Sequence, residues 1–161
     1  MLYSSACEYA IRALTCLAER QSPAFVQLRD VATTEDMPAA FVGKILQDLV
    51  RAGLLRSAKG PHGGYALARP PEAISLLEVK AAVDGTADLE RCAVGLGRCS
   101  DEMPCPQHEI FKPLRTAIRQ YLAGTTLAQM AKALAQKRVQ IARARADAPA
   151  PPRVAQSRGP R

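Results

Sequence analysis

Three cysteines crowd into fourteen residues of this chain: Cys92, Cys99 and Cys105, separated by six and then five residues, with His108 following after two more. Soft thiolates gathered in one segment are what an iron-sulfur cluster or a zinc ion requires. Gly95 and Gly97 let the backbone wrap closely around such a centre, and Met103-Pro104 and Pro106 stiffen the approach to Cys105. Cys105 and His108 share one face if a helix begins there. Three thiolates and one non-cysteine ligand leave one metal position weakly held and open to a small molecule, which suits a sensor better than an inert staple. Spacing alone also admits a zinc site, a thiol switch, or ordinary loop cysteines beside a helix-capping histidine. A Cys105–His108 nucleophile pair is the enzymatic reading of the same residues. With two histidines, no acidic orienting partner in a recognisable motif and no substrate-pocket signature, the sequence does not read as an enzyme.

The segments before this cluster must position it. Tyr9, Ala10, Ala13, Leu14, Leu17 and Ala18 repeat at helical spacing, and Ser5-x-x-Glu8 has the form of a capping box, so a first helix runs to about Gln21-Ser22-Pro23. Leu28, Val31 and Ala32 mark a short second helix, Thr34 to Asp36 a turn, and Pro38 the first turn of a third helix. That helix gathers Val42, Ile45, Leu46 and Leu49 on one face and Ala39, Ala40, Gly43, Lys44, Gln47 and Arg51 on the other, closing at Gly53. A short helix, a turn and a longer helix with a small, polar and basic outer face make a helix-turn-helix.

Two strand-like runs follow, Leu54 to Lys59 and Tyr65 to Arg69, around Gly60-Pro-His-Gly-Gly64. A basic hairpin directly after a recognition helix is a winged helix. Lys44 and Gln47 are the candidates for base or phosphate contacts, Ala39 and Ala40 for thymine methyl groups, Arg56 and Lys59 for phosphates, and His62 for the minor groove at the wing tip. Gln27, at the start of the second helix, completes the candidate DNA contacts. The bland alternative for all of them is a solvated surface.

Ser75-x-x-Glu78 caps a fourth helix that ends at Gly85, and residues 86–107 lose all periodicity. Helical spacing returns with Ile110, Phe111, Leu114, Ile118, Tyr121 and Leu122, where Pro113 predicts a kink or break. Gly124-Thr-Thr126 separates this from a last helix built on Leu127, Ala131, Leu134 and Ala135. The resulting division is a winged helix-turn-helix domain over 1–85, a cysteine-rich loop over 86–107, dimerisation and C-terminal helices over 108–145, and a disordered basic tail over 146–161. The fold class is mainly α with one small β-hairpin. Cys16 reads as a small buried side chain and Cys7 as a neighbour of the cluster.

Charge is distributed unevenly. The 161 residues carry 22 Lys+Arg against 15 Asp+Glu, yet residues 1–131 balance fourteen basic against fourteen acidic side chains. The excess lies from Lys132 onward, where eight basic residues face only Asp147, and such a tail suits non-specific DNA association through counterion release. Inside the balanced part, Met37 to Arg69 holds Lys44, Arg51, Arg56, Lys59 and Arg69 against Asp48 alone. No apolar run is long enough for a bilayer and no secretory signal is evident, so no membrane association is expected. Five cysteines, an odd number, argue against a disulfide framework and for a reducing cytoplasm.

The order Glu8-Tyr-Ala-Ile-Arg-Ala-Leu14, then Lys44-Ile-Leu-Gln-Asp-Leu-Val-Arg-Ala-Gly-Leu-Leu55, then Gly60-Pro-His-Gly-Gly-Tyr-Ala-Leu-Ala-Arg-Pro-Pro71 resembles the Rrf-two family of bacterial transcription regulators, in its IscR-like and NsrR-like iron-sulfur branch. The likeness extends to about residue 135, through Val83-Asp84-Gly85, the cysteine loop and Thr125-Thr-Leu-Ala128. It implies a homodimer paired through a long C-terminal helix and reading a partly palindromic double-stranded DNA operator. It also implies an iron-sulfur cluster, two-iron or four-iron, on Cys92, Cys99 and Cys105. The fourth ligand is His108, where some members supply a histidine, or Glu8 of the partner subunit, where others use an acidic residue; Glu8 is equally read as the cap of Ser5. The chain departs from the IscR-like and NsrR-like pattern by one extra residue between Cys92 and Cys99, and by Pro38, Ala39, Ala40 and Gly43 in place of polar residues at the recognition helix. The expected function is a DNA-binding repressor whose operator affinity follows the state of a cluster sensing redox, nitric oxide or iron-sulfur status. A winged-helix regulator using the cysteines as a zinc site or thiol switch is the alternative, and a dimeric interaction protein without DNA binding a further one.

Overall fold

The computed structural model of the chain describes residues 2–20, 24–96, 100–102 and 104–146, with side chains up to residue 141. Cys99 and the basic tail beyond residue 146 lie outside them. The elements are α1 (Ser5–Glu19), α2 (Leu28–Thr34), α3 (Ala39–Arg51), β1 (Leu55–Ala58), β2 (Gly64–Leu67), α4 (Leu76–Val83), α5 (His108–Gly124) and α6 (Leu127–Ala146), with short 3-10 turns at Pro71–Ala73 and Ala87–Glu90.

Helix α1 is the hub, packing against α2, α3, α4 and α6. Its buried residues include Cys7, Ala10, Ala13 and Ala18, small enough for neighbouring helices to approach, with Ile11, Leu14 and Leu17 filling the space between. Its N-cap differs from the sequence expectation. Ser4, not Ser5, caps the helix: the Ser4 hydroxyl oxygen accepts from the Cys7 amide at 3.1 Å, and Ser5 is already helical. The register moves by one residue because Asp84, at the end of α4, accepts from both the amide and the hydroxyl of Ser4. Glu8 is therefore not the glutamate of a capping box.

The α4 box forms as its sequence requires. Glu78 N–H donates to the Ser75 hydroxyl at 3.3 Å, and Ser75 N–H donates to the Glu78 carboxylate at 2.9 Å. Next to it, Leu76 N–H donates to the Thr125 carbonyl and Leu127 N–H to the Ile74 carbonyl, which draws the α5–α6 connection onto α4. Leu122, Leu127 and Ala131 thereby join the same hydrophobic core as the α1–α3 residues. Lys80 sits inside this packing, its side chain 2% exposed, with its ammonium 2.9 Å from Asp88 and 3.8 Å from Asp84.

Helix α5 is unbroken from His108 to Gly124, so Pro113 does not divide it. A proline six positions into a helix forfeits a single backbone hydrogen bond, here on an exposed face. Ile110, Leu114 and Tyr121 leave an apolar stripe on α5, 81%, 55% and 50% exposed.

Candidate DNA interface and cysteine site

The recognition geometry follows from α3. Burying Val42, Ile45, Leu46 and Leu49 turns Ala39, Ala40, Lys44 and Gln47 outward, and all four are exposed. Gly43 faces α2 closely: a Cβ there would lie 3.2 Å from Leu28 Cδ2. The turn between the helices holds Asp36 in the left-handed region at φ 50°, and Arg12 of α1 reaches it, donating to the Glu35 carbonyl and pairing with its carboxylate at 3.4 Å. On the same face of α1, one turn before Arg12, Tyr9 meets the half-exposed Phe41 edge to face, with ring centres 5.6 Å apart.

The wing is an antiparallel pair in the register Leu55↔Leu67, Arg56↔Ala66, Ser57↔Tyr65 and Ala58↔Gly64. Val26 adds a third pairing, exchanging hydrogen bonds of 2.9 and 2.8 Å with Tyr65. Gly64, at φ 138°, makes this approach possible, because a Cβ would stand 2.2 Å from the Val26 carbonyl oxygen. Gln27 donates its side-chain amide to the Pro61 carbonyl at 2.9 Å, so this residue braces the wing tip from the start of α2. Lys59 and His62 are exposed at the tip. Arg56 lies nearer the root, its guanidinium 4.7 Å from the Phe25 ring centre and its Nε 3.4 Å from the Leu67 carbonyl. Arg51, at the end of α3, is engaged by Asp48 at 2.6 Å.

The second site lies between α4 and α5. Cys92 and Cys105 are both buried, and their side chains hydrogen-bond to one another. The Val94 and Leu96 amides, with the Cys105 thiol and the Gly95 amide, hold the Cys92 thiol below the ordinary cysteine range. His108 N–H donates to the Cys105 carbonyl at 2.9 Å, so α5 begins at His108 with Cys105 just before it. The His108 ring is 4% exposed, and its Nε2 is 2.7 Å from Asp101 Oδ1. Lys112 donates to both oxygens of the same carboxylate at 2.6 and 2.7 Å, and these two partners, Lys112 first, lower the Asp101 pKa. Among the described residues no three metal-ligating side chains converge; Cys99 falls outside them. Glu8 is exposed on the first turn of α1. Cys7 and Cys16 are buried in α1. Burial, reinforced by Asp84, pushes the Cys7 thiol up to about 12, and burial likewise raises Cys16. Sequence reading missed Asp101, Arg12 and Glu35; a charged residue in a turn carries no local signal of the distant helix it will meet.

A helix-turn-helix followed by a docked two-stranded wing defines a winged-helix DNA-binding protein. The chain belongs to the Rrf2 family, described as iron-dependent transcriptional regulators, which matches residues 3–133. The transcriptional regulator IscR of Vibrio cholerae is 32% identical over 132 residues, spanning 81% of this chain and 75% of its own. Two solved structures share the fold: CymR, the global cysteine regulator of B. subtilis, with a TM-score of 0.70 at 22% identity over 80% of this chain and 95% of its own, and T. potens IscR, with 0.64 at 24% over 81% and 86%. These relatives are regulators, in keeping with a non-enzymatic reading. No helix among the described residues is long and apolar enough to cross a membrane.

Proposed function

We propose that this chain is a cytoplasmic, homodimeric repressor whose affinity for a partly palindromic operator is set by an iron-sulfur cluster. The observation that carries this reading is the buried Cys92–Cys105 pair, with three backbone amides directed at one sulfur, in the same compact unit as a winged helix. The donor set fits such a group: two adjacent thiols, one already biased toward thiolate, and amides of the kind that hydrogen-bond cluster sulfurs. Cys92, Cys99 and Cys105 would hold it, with His108 or the partner subunit's Glu8 as fourth ligand. When bound, the group supplies reversible electron exchange and reactivity toward nitric oxide. The protein's own residues do the rest. Asp101 fixes the His108 ring, as carboxylates do for metal-binding histidines, and Lys112 fixes Asp101. The exposed Ile110–Leu114–Tyr121 stripe supports pairing of two copies through α5. Ala39, Ala40, Lys44 and Gln47 would face the major groove, Lys59 and His62 the flanking backbone, with Arg56 and Gln27 holding the wing that carries them.

The test is an absorbance spectrum with iron and acid-labile sulfide assays on anaerobically purified protein, followed by operator titration of the parent and of Cys99→Ala. Near-equal iron and sulfide, a visible band that bleaches with nitric oxide, and operator affinity that changes with it support the reading. Unchanged affinity in Cys99→Ala, with an unchanged response to oxidant, rejects it. The contact between the Cys92 and Cys105 side chains favours one second reading, a thiol switch or zinc site on the same residues. A protein still colourless after anaerobic reconstitution, but with DNA affinity sensitive to thiol oxidation or zinc chelation, would establish it.

A further inference from the structure

Arg138 lies on α6, five residues beyond the family-matched segment, and its guanidinium reaches two carboxylates on other elements. One nitrogen is 2.8 Å from Glu19 at the end of α1 and the other 3.6 Å from Glu35 in the turn of the helix-turn-helix. Both carboxylates are largely enclosed, with side chains 13% and 10% exposed. Glu35 Oε1 is buried and makes no hydrogen bond among the described residues, so Arg138 is the cation that faces it. Arg12 holds the other oxygen of Glu35 and its carbonyl. Arg20, next to Glu19, donates to the Thr34 hydroxyl at 3.4 Å. The turn that sets the angle between α2 and α3 is thus gripped by guanidinium groups from α1 and α6.

We propose that Arg138 is a positioning residue for operator recognition: through Glu19 and Glu35 it clamps the Glu35–Asp36 turn, so that the pose of α3 depends on the C-terminal half of α6. The inference rests on the proposed operator binding. Two features make the clamp consequential. Asp36, a non-glycine residue at positive φ, keeps that conformation only while its surroundings hold it. Without Arg138, Glu19 and the buried Oε1 of Glu35 would lose the guanidinium they share, and the turn would keep its tie to α1 through Arg12 but lose its tie to α6. Ala39 and Ala40, four and five residues after Glu35, would move with it. Arg138 touches no DNA in this arrangement; it acts through the turn.

Arg138→Gln and Arg138→Lys test this in the full-length chain. Operator and random-duplex affinities are measured across salt concentrations, and amide hydrogen exchange is followed over residues 33–40. The expected result for Arg138→Gln is faster exchange at Met37, whose N–H donates to the Ala32 carbonyl at 2.9 Å, and operator affinity lower by about tenfold. Random-duplex affinity and the salt slope stay unchanged, and Arg138→Lys, which keeps a cation beside Glu19, recovers part of the loss. A fall of about 0.9 in the salt slope would make Arg138 a direct phosphate contact and overturn the proposal. So would unchanged exchange in Arg138→Gln, or unchanged operator affinity. A parent protein that binds every duplex equally would remove the operator reading instead, while the exchange measurement would still judge the clamp.

Discussion

The Asp84 carboxylate holds Ser4, eighty residues earlier in the chain, by accepting from its amide at 2.9 Å and from its hydroxyl. The same hydroxyl oxygen caps α1 through the Cys7 amide. Lys80, buried against Asp84 and Asp88, extends this arrangement to the 3-10 turn that precedes Cys92. One cluster of charges therefore fixes both the start of α1 and the base of the cysteine segment. Ser4→Ala should lower unfolding stability by about 1–2 kcal/mol, read from the urea midpoint. Ser5→Ala, which would be the damaging change if Ser5 were the cap, should stay within about 0.5 kcal/mol.

Acid should weaken α4 in a way that one substitution exposes. The Ser75 amide, with Arg69 and the Ser75 hydroxyl, holds the Glu78 carboxyl below the usual carboxylate range. Its contribution is complete above the unfolded value of roughly 4.3 and disappears as pH falls through the lower folded value. Glu78→Gln keeps the box geometry but loses the exposed pairing with Arg69, so it should cost at most about 1 kcal/mol at pH 7. Urea titrations at descending pH should show parent and variant converging in acid. A constant difference would mean that Glu78 acts through shape alone.

Gly64→Ala should detach the wing. The added carbon would meet the Val26 carbonyl oxygen at 2.2 Å, and the backbone is at φ 138°. A loss of about 2–3 kcal/mol is expected, together with weaker DNA binding. Gly53→Ala, at φ 73° but with open space around the new carbon, should cost less in the same urea titration.

The five cysteines should differ sharply in alkylation. At neutral pH the amides of Val94 and Leu96 keep more of Cys92 as thiolate, while burial holds Cys7 protonated with a pKa of about 12. Limited iodoacetamide treatment of metal-free native protein, followed by peptide mass spectrometry, should find Cys92 modified well before Cys7 or Cys16. Equal labelling would mean that the fold does not shield α1.

Much of this architecture was legible because its signals are local. The 3.6-residue period of Val42, Ile45, Leu46 and Leu49 placed α3, and the glycines around His62 placed the wing. The α4 capping box was readable because both its members lie within four residues. The α1 cap was not. Two adjacent serines compete for it, and the choice is made by Asp84, which nothing near residue 4 announces. The Arg138–Glu35 clamp was illegible for the same reason, since its partners are joined only by the packing of α6 on α1. At the cysteine site, spacing singled out Cys92, Cys105 and His108 as candidates but not Asp101, whose contacts appear only once α5 places His108 and Lys112 beside it.

The wing is mounted at three points: the β1–β2 ladder, the Val26–Tyr65 pairing and the Gln27 amide on Pro61. Two of these sit behind the tip, so the scaffold registers the strands independently of what projects from them. The side chains of Lys59 and His62 thus project from a tip whose backbone Gln27 holds at Pro61. Recharging these two positions would alter how the protein engages a duplex while leaving α3 where it was, which makes the tip a natural place for related regulators, or for designers, to diversify footprint without re-solving the fold.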